Sequence, residues 1–341
     1  MQGINISTFF VGFCTAYFAV YAYMMLREKE RTRFQTILAY IFVMWSLANL
    51  KDIVLSFPAL YTRRMLDSIA VVDGWSAVSF MVFTFELTMP GWTTLRRVLL
   101  SLIPFALFSV VWFATFHPAV LYTYYAFIVV FALSVLFLGI FKARQYIRYA
   151  RENYSNIDEI DISWVYYVFF FTVVSQLMWL FTSFIGSPLT DSAYYLFSIA
   201  LWQMVLNKSY NLKPIEIETP AVIVSPNRTY PFAGGMEQTV EEQRLYLDKD
   251  LTLSELATAV GTNRTYLSDY FSNVKHITFY DYINQLRITK KSIPMMQEHP
   301  EYTLEHIASE SGFNSISTFR RAFNKLTGVS PSQYRLRGKT T

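Results

Sequence analysis

The sequence predicts an all-α chain in two parts. Residues 1–213 read as a polytopic bundle of about seven membrane-crossing helices, residues 214–236 as a Pro/Gly-rich tether, and residues 237–341 as a soluble helical domain. Three observations carry this. Of the 341 residues, 53% are hydrophobic and only 16% charged, against roughly 25% charged for an ordinary soluble domain. The charges are unevenly spread: residues 1–207 hold 13 Lys/Arg and 11 Asp/Glu, while the shorter stretch 208–341 holds 16 and 14. Within that polar stretch, a helical pattern recurs at a spacing of 51–52 residues. The single cysteine, Cys14, excludes an internal disulfide and a cysteine metal cluster.

Crossing a ~30 Å hydrocarbon core takes about 20 apolar residues in a helix, and lipid offers the backbone no hydrogen-bond partners, so such runs read as helices. The expected spans are Ile4–Leu26, Phe34–Leu55, Ser68–Thr88, Val98–Phe116, Ala119–Phe141, Trp164–Ile185 and Ser192–Leu206. No basic region precedes the first run, which therefore reads as a span and not a cleaved leader. Lys/Arg-rich loops stay cytoplasmic. One set of alternate loops (27–33, 89–97, 142–163 and the residues after the last span) holds 12 Lys/Arg; the other set holds 2, Arg63 and Arg64. The expected location is an inner membrane, N-terminus outside and C-terminus in the cytoplasm.

Charges inside spans are costly and are kept for a reason. Lys51, Asp52 and Asp73 all fall toward the outer side. They read either as a structural ion-pair cluster or, with Arg63 and Arg64, as the lining of an outward-facing pocket for a small-molecule or protein signal. Glu86 falls near the inner end of its span.

Pro214, Pro220, Pro226 and Pro231, then Gly234 and Gly235, mark the tether; its IEIETPAVIV stretch (215–224) also admits a short strand. Beyond it, Leu253, Ala257 and Gly261 recur as Leu304, Ala308 and Gly312, and Leu267 and Phe271 as Phe319 and Phe323. Each copy reads as helix, tight turn at the glycine, second helix, with the small alanine letting the two helices approach. A linker helix over about Thr278–Ile293 joins them, and Pro294 is expected to interrupt its end.

These residues carry a resemblance. Leu251–Ala257, Gly261–Ser268, Tyr282–Arg287, Ile307-Ala308, Gly312-Phe313, Ser317–Phe319, Phe323–Lys325 and Gly328–Arg335 resemble the AraC/XylS-type DNA-binding domain over about residues 246–335, and the layout is similar to membrane-anchored bacterial members of that family. The resemblance implies two helix-turn-helix units that enter successive major grooves of double-stranded DNA. In the second unit Ile316, Phe319, Ala322, Phe323 and Leu326 share one helix face, which leaves Ser317, Arg321 and Asn324 opposite, with Arg320 and Lys325 at the edges. Arginine suits guanine and asparagine suits adenine in the major groove, while Lys325 is better placed for phosphate. In the first unit Leu267, Tyr270, Phe271 and Val274 form the stripe, and Thr265, Ser268, Asp269 and Ser272 lie opposite. The family usually has a basic residue at Asp269 and a glycine at His276. Residues 251–289 hold three basic and three acidic residues, whereas 302–341 hold six and two, so the second unit is expected to supply most of the affinity.

No catalytic constellation, nucleotide-binding fingerprint, cofactor site or metal-ligand spacing is present, and no enzyme activity is expected. His117, between two spans, reads as a capping or solvated residue. The leading reading is a one-component transcription regulator anchored in the membrane, acting as a homodimer, in contact with membrane lipid and, were it an activator, with RNA polymerase. The alternative is a transporter or channel-like membrane protein with an appended regulatory domain.

Overall fold

The computed structural model describes residues 6–52, 62–185, 188–213, 215 and 229–337. Among them the chain is helical, with no strand and one isolated β-bridge, Tyr154 to Thr252. The chain divides into two compact units: residues 1–146 with 162–216, and residues 147–161 with 217–341.

The first unit contains α1 (Ile6–Arg27), α2 (Arg33–Leu50), α3 (Arg63–Asp73), α4 (Ser76–Thr88), α5 (Leu95–Thr115), most of α6 (Pro118–Asn153), α7 (Val165–Ile185) and α8 (Pro188–Ser209). Threonines start three of these helices. Thr32, Thr62 and Thr94 each accept a bond from the backbone N–H three residues on, and so satisfy donors that the helix leaves orphaned. Helix α1 packs on α2 and α8, α7 on α8, α2 on α4, and both α3 and α4 on α5. The centre is aromatic: Phe18, Phe42, Phe83 and Trp202 meet edge to face. Large apolar side chains such as Phe13, Leu107, Val110, Leu133 and Phe137 point outward, the opposite of a water-facing surface.

Among the described residues, five helices are long and apolar enough to cross a membrane: Thr8–Arg27, Arg63–Thr88, Leu95–Thr115, Pro118–Asn153 and Val165–Thr182. The remaining expected spans correspond to α2 and α8, which are helical but not among the five. They carry Gln35, Thr36 and Asn49, and Thr190, Asp191, Gln203 and Asn207, respectively, and the outer end of the second expected span lies outside the described residues. The third span breaks at Gly74–Trp75, between α3 and α4. A side chain at Gly74 would collide with Tyr124, whose hydroxyl donates to the Val71 carbonyl at 2.9 Å.

The expected charge pairing is present. Lys51 Nζ lies 2.7 Å from Asp52 Oδ1 and 2.5 Å from Asp73 Oδ1, and Tyr195 donates to Asp52 Oδ2 at 2.8 Å. Arg63 pairs instead with Asp67 at 3.1 Å, and Arg64 lies over the Phe116 ring. Glu86 accepts from Arg33 and from the backbone of Gly91 and Thr93 at 2.8–3.0 Å, fixing the turn after α4. The His117 imidazole accepts from the Ala119 backbone at 3.2 Å, a capping contact.

The second unit holds α9 (Ala233–Glu242), α10 (Leu253–Ala259), α11 (Arg264–Tyr270, continued by a wide turn Phe271–Lys275), α12 (Phe279–Leu286), α13 (Ile293–Glu298), α14 (Leu304–Glu310), α15 (Ile316–Thr327) and α16 (Pro331–Arg337). It has two cores. Met236, Val240, Leu253, Leu256, Leu267, Phe271, Phe279 and Ile283 form the first; Ile288, Met296, Ile307, Phe313, Phe319 and Phe323 form the second. Helix α9 starts inside the stretch expected as tether, because Tyr230, Phe232 and Met236 have apolar surface to bury on the first core. Residues 216–228, including most of the segment that admitted a strand, lie outside the described residues.

The linker helix runs further than expected. Helix continues from Phe279 through a π-turn, Arg287–Ser292, into α13 and past Pro294 to Glu298. In the π-turn the Ile293 N–H bonds the Ile288 carbonyl, five residues back. That shift re-starts the ladder so that Pro294 occupies a first helical turn, where a missing N–H costs nothing.

Candidate nucleic-acid interface

The two helix pairs, α10–α11 and α14–α15, are built alike down to their caps. Thr252 and Thr303 cap the first helices, and Asn263 and Ser315 cap the second, at the spacing of the apolar repeat. Gly261 and Gly312 make the turns at φ +72° and +85°, a conformation that L side chains resist. Gly312 is also crowded: an added Cβ would lie 2.8 Å from the Leu247 carbonyl oxygen.

Helix α15 buries Thr318, Phe319 and Phe323 and exposes Ser317, Arg320, Arg321, Asn324 and Lys325. All five expected base- or phosphate-facing residues of the second unit thus share one accessible face. Two carry acid partners: Lys325 lies 2.7 Å from Asp281 of α12, and Arg320 lies 3.7 Å from Glu305. Leu326, assigned to the apolar stripe, is exposed.

Helix α11 differs. Leu267, Tyr270 and Phe271 are buried, but Val274 is 49% exposed. Thr265 and Ser268 are half-buried. Asp269 accepts from the Tyr230 hydroxyl and, at 2.8 Å, from Asn273; it holds the arm that leads into α9. His276 stands where a glycine is usual because the backbone there is left-handed, at φ +51°. Lys275 ion-pairs with Glu237, which raises its pKa.

Arg287, seen in the sequence only as the end of a motif, is buried between the two helix pairs of the C-terminal domain. Its guanidinium donates to the carbonyls of Tyr246, Asp248 and Ser155 at 2.6–3.1 Å and to Asn284 Oδ1 at 3.1 Å, and lies over the Phe313 ring. Burial pushes its pKa down to about 10, so the group stays charged at neutral pH. Residues 147–161 also reach this domain, a contact the spacing of the sequence did not show. Its one trace there is a run of acids (Glu152, Asp158, Glu159 and Asp161) in an otherwise basic loop.

Residues 256–337 match the helix-turn-helix domain family. An uncharacterized HTH-type transcriptional regulator of Staphylococcus aureus (strain COL) is 31% identical over 100 residues, which are 29% of this chain and 13% of the relative. The melibiose operon regulatory protein of Escherichia coli (strain K12) is 33% identical over 88 residues, 26% of this chain and 28% of the relative. The C-terminal region is an AraC-type helix-turn-helix domain. The chain spans less than a third of the length of these relatives, and the likeness is confined to this domain. No solved structure matches the chain. Within the helix-turn-helix domain, α11 and α15 occupy the second-helix positions, those that enter a major groove in such motifs.

Proposed function

We propose that this protein is a membrane-integrated, one-component transcription regulator whose AraC-type domain binds specific double-stranded DNA in the major groove. The observation that carries this is the exposed face of α15, with Ser317, Arg320, Arg321, Asn324 and Lys325 side by side. In the first unit Thr265, Ser268 and Asp269 take the corresponding positions, with a smaller share of the affinity. Genome-wide footprinting of the intact protein tests the reading. Discrete protected sites are expected; uniform, sequence-independent coverage overturns it.

The membrane half is read as seven spans, with α2 and α8 completing the five longer ones, N-terminus outside and C-terminus in the cytoplasm. Grouping of residues 147–161 with the C-terminal domain supports this, because the loop count puts both on the cytoplasmic side. A homodimer is the expected assembly. The Lys51–Asp52–Asp73 cluster is read as part of a sensing site, since Asp52 and Asp73 line a cavity of about 940 Å³ with Trp45, Trp75, Asp191 and Tyr194. Asp73→Asn and Lys51→Met are expected to blunt the response to the signal at unchanged membrane levels. An unaltered response in both overturns the sensing assignment.

A further inference from the structure

Residues 147–161 are the end of α6 and the loop behind it, yet they belong to the compact unit that contains the helix-turn-helix domain. Their contacts fall on the parts of that domain that would meet DNA. Asn153 Oδ1 accepts from Arg264 Nε at 2.7 Å, and the Tyr149 hydroxyl accepts from the same guanidinium at 3.0 Å while its ring lies beneath it. Arg264 is the first residue of α11. The Ser155 N–H donates to the Leu251 carbonyl at 3.1 Å, and Tyr154 bridges to Thr252, the cap of α10. Asp158 accepts from the Thr318 hydroxyl in the first turn of α15. One segment therefore touches the N-terminal turns of both second helices and the start of α10.

Those are the places where a helix-turn-helix reads bases and grips phosphates. A helix with its side chains is about 10–12 Å across, and the major groove is about 12 Å wide. The groove admits a bare helix and has no room for a second layer of chain over its leading turn. Charge points the same way. The segment carries Arg148 and Arg151 against Glu152, Asp158, Glu159 and Asp161, an acidic balance like that of the phosphates it would have to share the surface with. Both of its ends run directly into long apolar helices, α6 before it and α7 after it, so a displacement of either helix is passed to it through the chain.

We infer that residues 147–161 form an autoinhibitory strap, which covers the leading turns of α11 and α15 and has to leave them before the domain seats on DNA. The inference rests on the DNA-binding reading above. In the strapped state Arg264 and Thr318 are occupied by protein partners; once released, they join the exposed face of α15 as DNA contacts. The Ser155–Arg287 contacts are the hinge side of the strap, since Arg287 keeps the Tyr246 and Asp248 carbonyls when Ser155 departs.

The test uses the full chain in detergent or nanodiscs, with the 30-base-pair duplexes it enriches from a random pool. Asn153→Ala with Asp158→Ala frees the strap and is expected to tighten binding by between about 5- and 150-fold, the usual range of a coupling between two sites. Unchanged or weaker binding overturns the strap. A second variant works in the other sense. Asp158→Cys with Thr318→Cys, in a Cys14→Ser background, places two thiols where a hydrogen-bonded pair now stands. Oxidised protein is expected to lose binding and reducing agent to restore it. Equal binding by oxidised and reduced protein overturns the strap while leaving the DNA-binding reading intact. Absence of enriched duplexes for every variant, the freed one included, overturns both.

Discussion

The two helix pairs of the C-terminal domain, α10–α11 and α14–α15, share a scaffold and differ in what they spend their polar residues on. In the second, the face of α15 opposite its core is open and basic, and its acid partners sit at the edges of that face. In the first, Thr265, Ser268 and Asp269 of the equivalent face are half-buried, and Asp269 is committed to Tyr230 and Asn273. The repeat therefore fixes backbone geometry, through caps, glycine turns and apolar stripes, and leaves the outward chemistry of each copy free to diverge. The second copy leaves its outward face exposed, while the first commits Asp269 to the N-terminal arm of the domain.

The most severe way to break this comparison is to separate the copies. Arg287 ties the Tyr246 and Asp248 carbonyls of the first unit to Phe313 of the second. Arg287→Ala leaves those carbonyls buried without their donor, and is expected to cost about 1–3 kcal/mol for each carbonyl so orphaned. Hydrogen exchange is the suitable readout, because none of the 7 tryptophans lies in residues 237–341. Protection should fall in both cores; loss confined to one would show that Arg287 serves that unit alone.

A smaller effect separates the turns. Gly261→Ala meets open space and faces only the cost of a left-handed alanine, about 1–2 kcal/mol. Gly312→Ala has the same backbone penalty and also drives its Cβ toward the Leu247 carbonyl, for a total of about 2–4 kcal/mol. The ratio of amide exchange rates in the variants checks it. Equal losses would mean that the segment before α10 yields without resistance.

Much of this arrangement was legible from the chain. The repeat, the buried stripe of α15 and its exposed polar face all follow from spacing, because helical period and side-chain size decide them locally. Pairing of Lys51 with Asp73 was legible for an energetic reason, since a charge among apolar side chains needs a partner. What stayed hidden depends on contacts between distant parts of the chain. Asp269 reads as an acid on the outward face, where the resembled family usually has a basic residue, until Tyr230, from the arm 39 residues upstream, is placed against it. Pro294 reads as a helix end until the π-turn before it re-registers the ladder. The segment 147–161 reads as an ordinary cytoplasmic loop, and nothing in its own periodicity announces the contacts that Asn153 and Asp158 make 111 and 160 residues further along the chain.

At the level of DNA, Arg321→Ala is expected to cost about 1–3 kcal/mol of discrimination at one base pair, and Thr265→Ala less. Selection of duplexes by each full-length variant reads this directly. A larger loss from Thr265→Ala would invert the ranking of the two units.

The smallest expected effect sharpens the division of labour inside α15 itself. Lys325 is exposed and already paired with Asp281 at 2.7 Å, a contact worth little at a surface and easily exchanged for a phosphate. Lys325→Met should therefore weaken binding to matched and random duplexes alike and lower the slope of log affinity against log salt by about 1. Arg321→Ala should instead change which duplex is preferred and leave that slope nearly as it was. If Lys325→Met altered sequence preference, the edge of the helix would be reading bases too, and the helix would sit deeper in the groove than its exposed face implies.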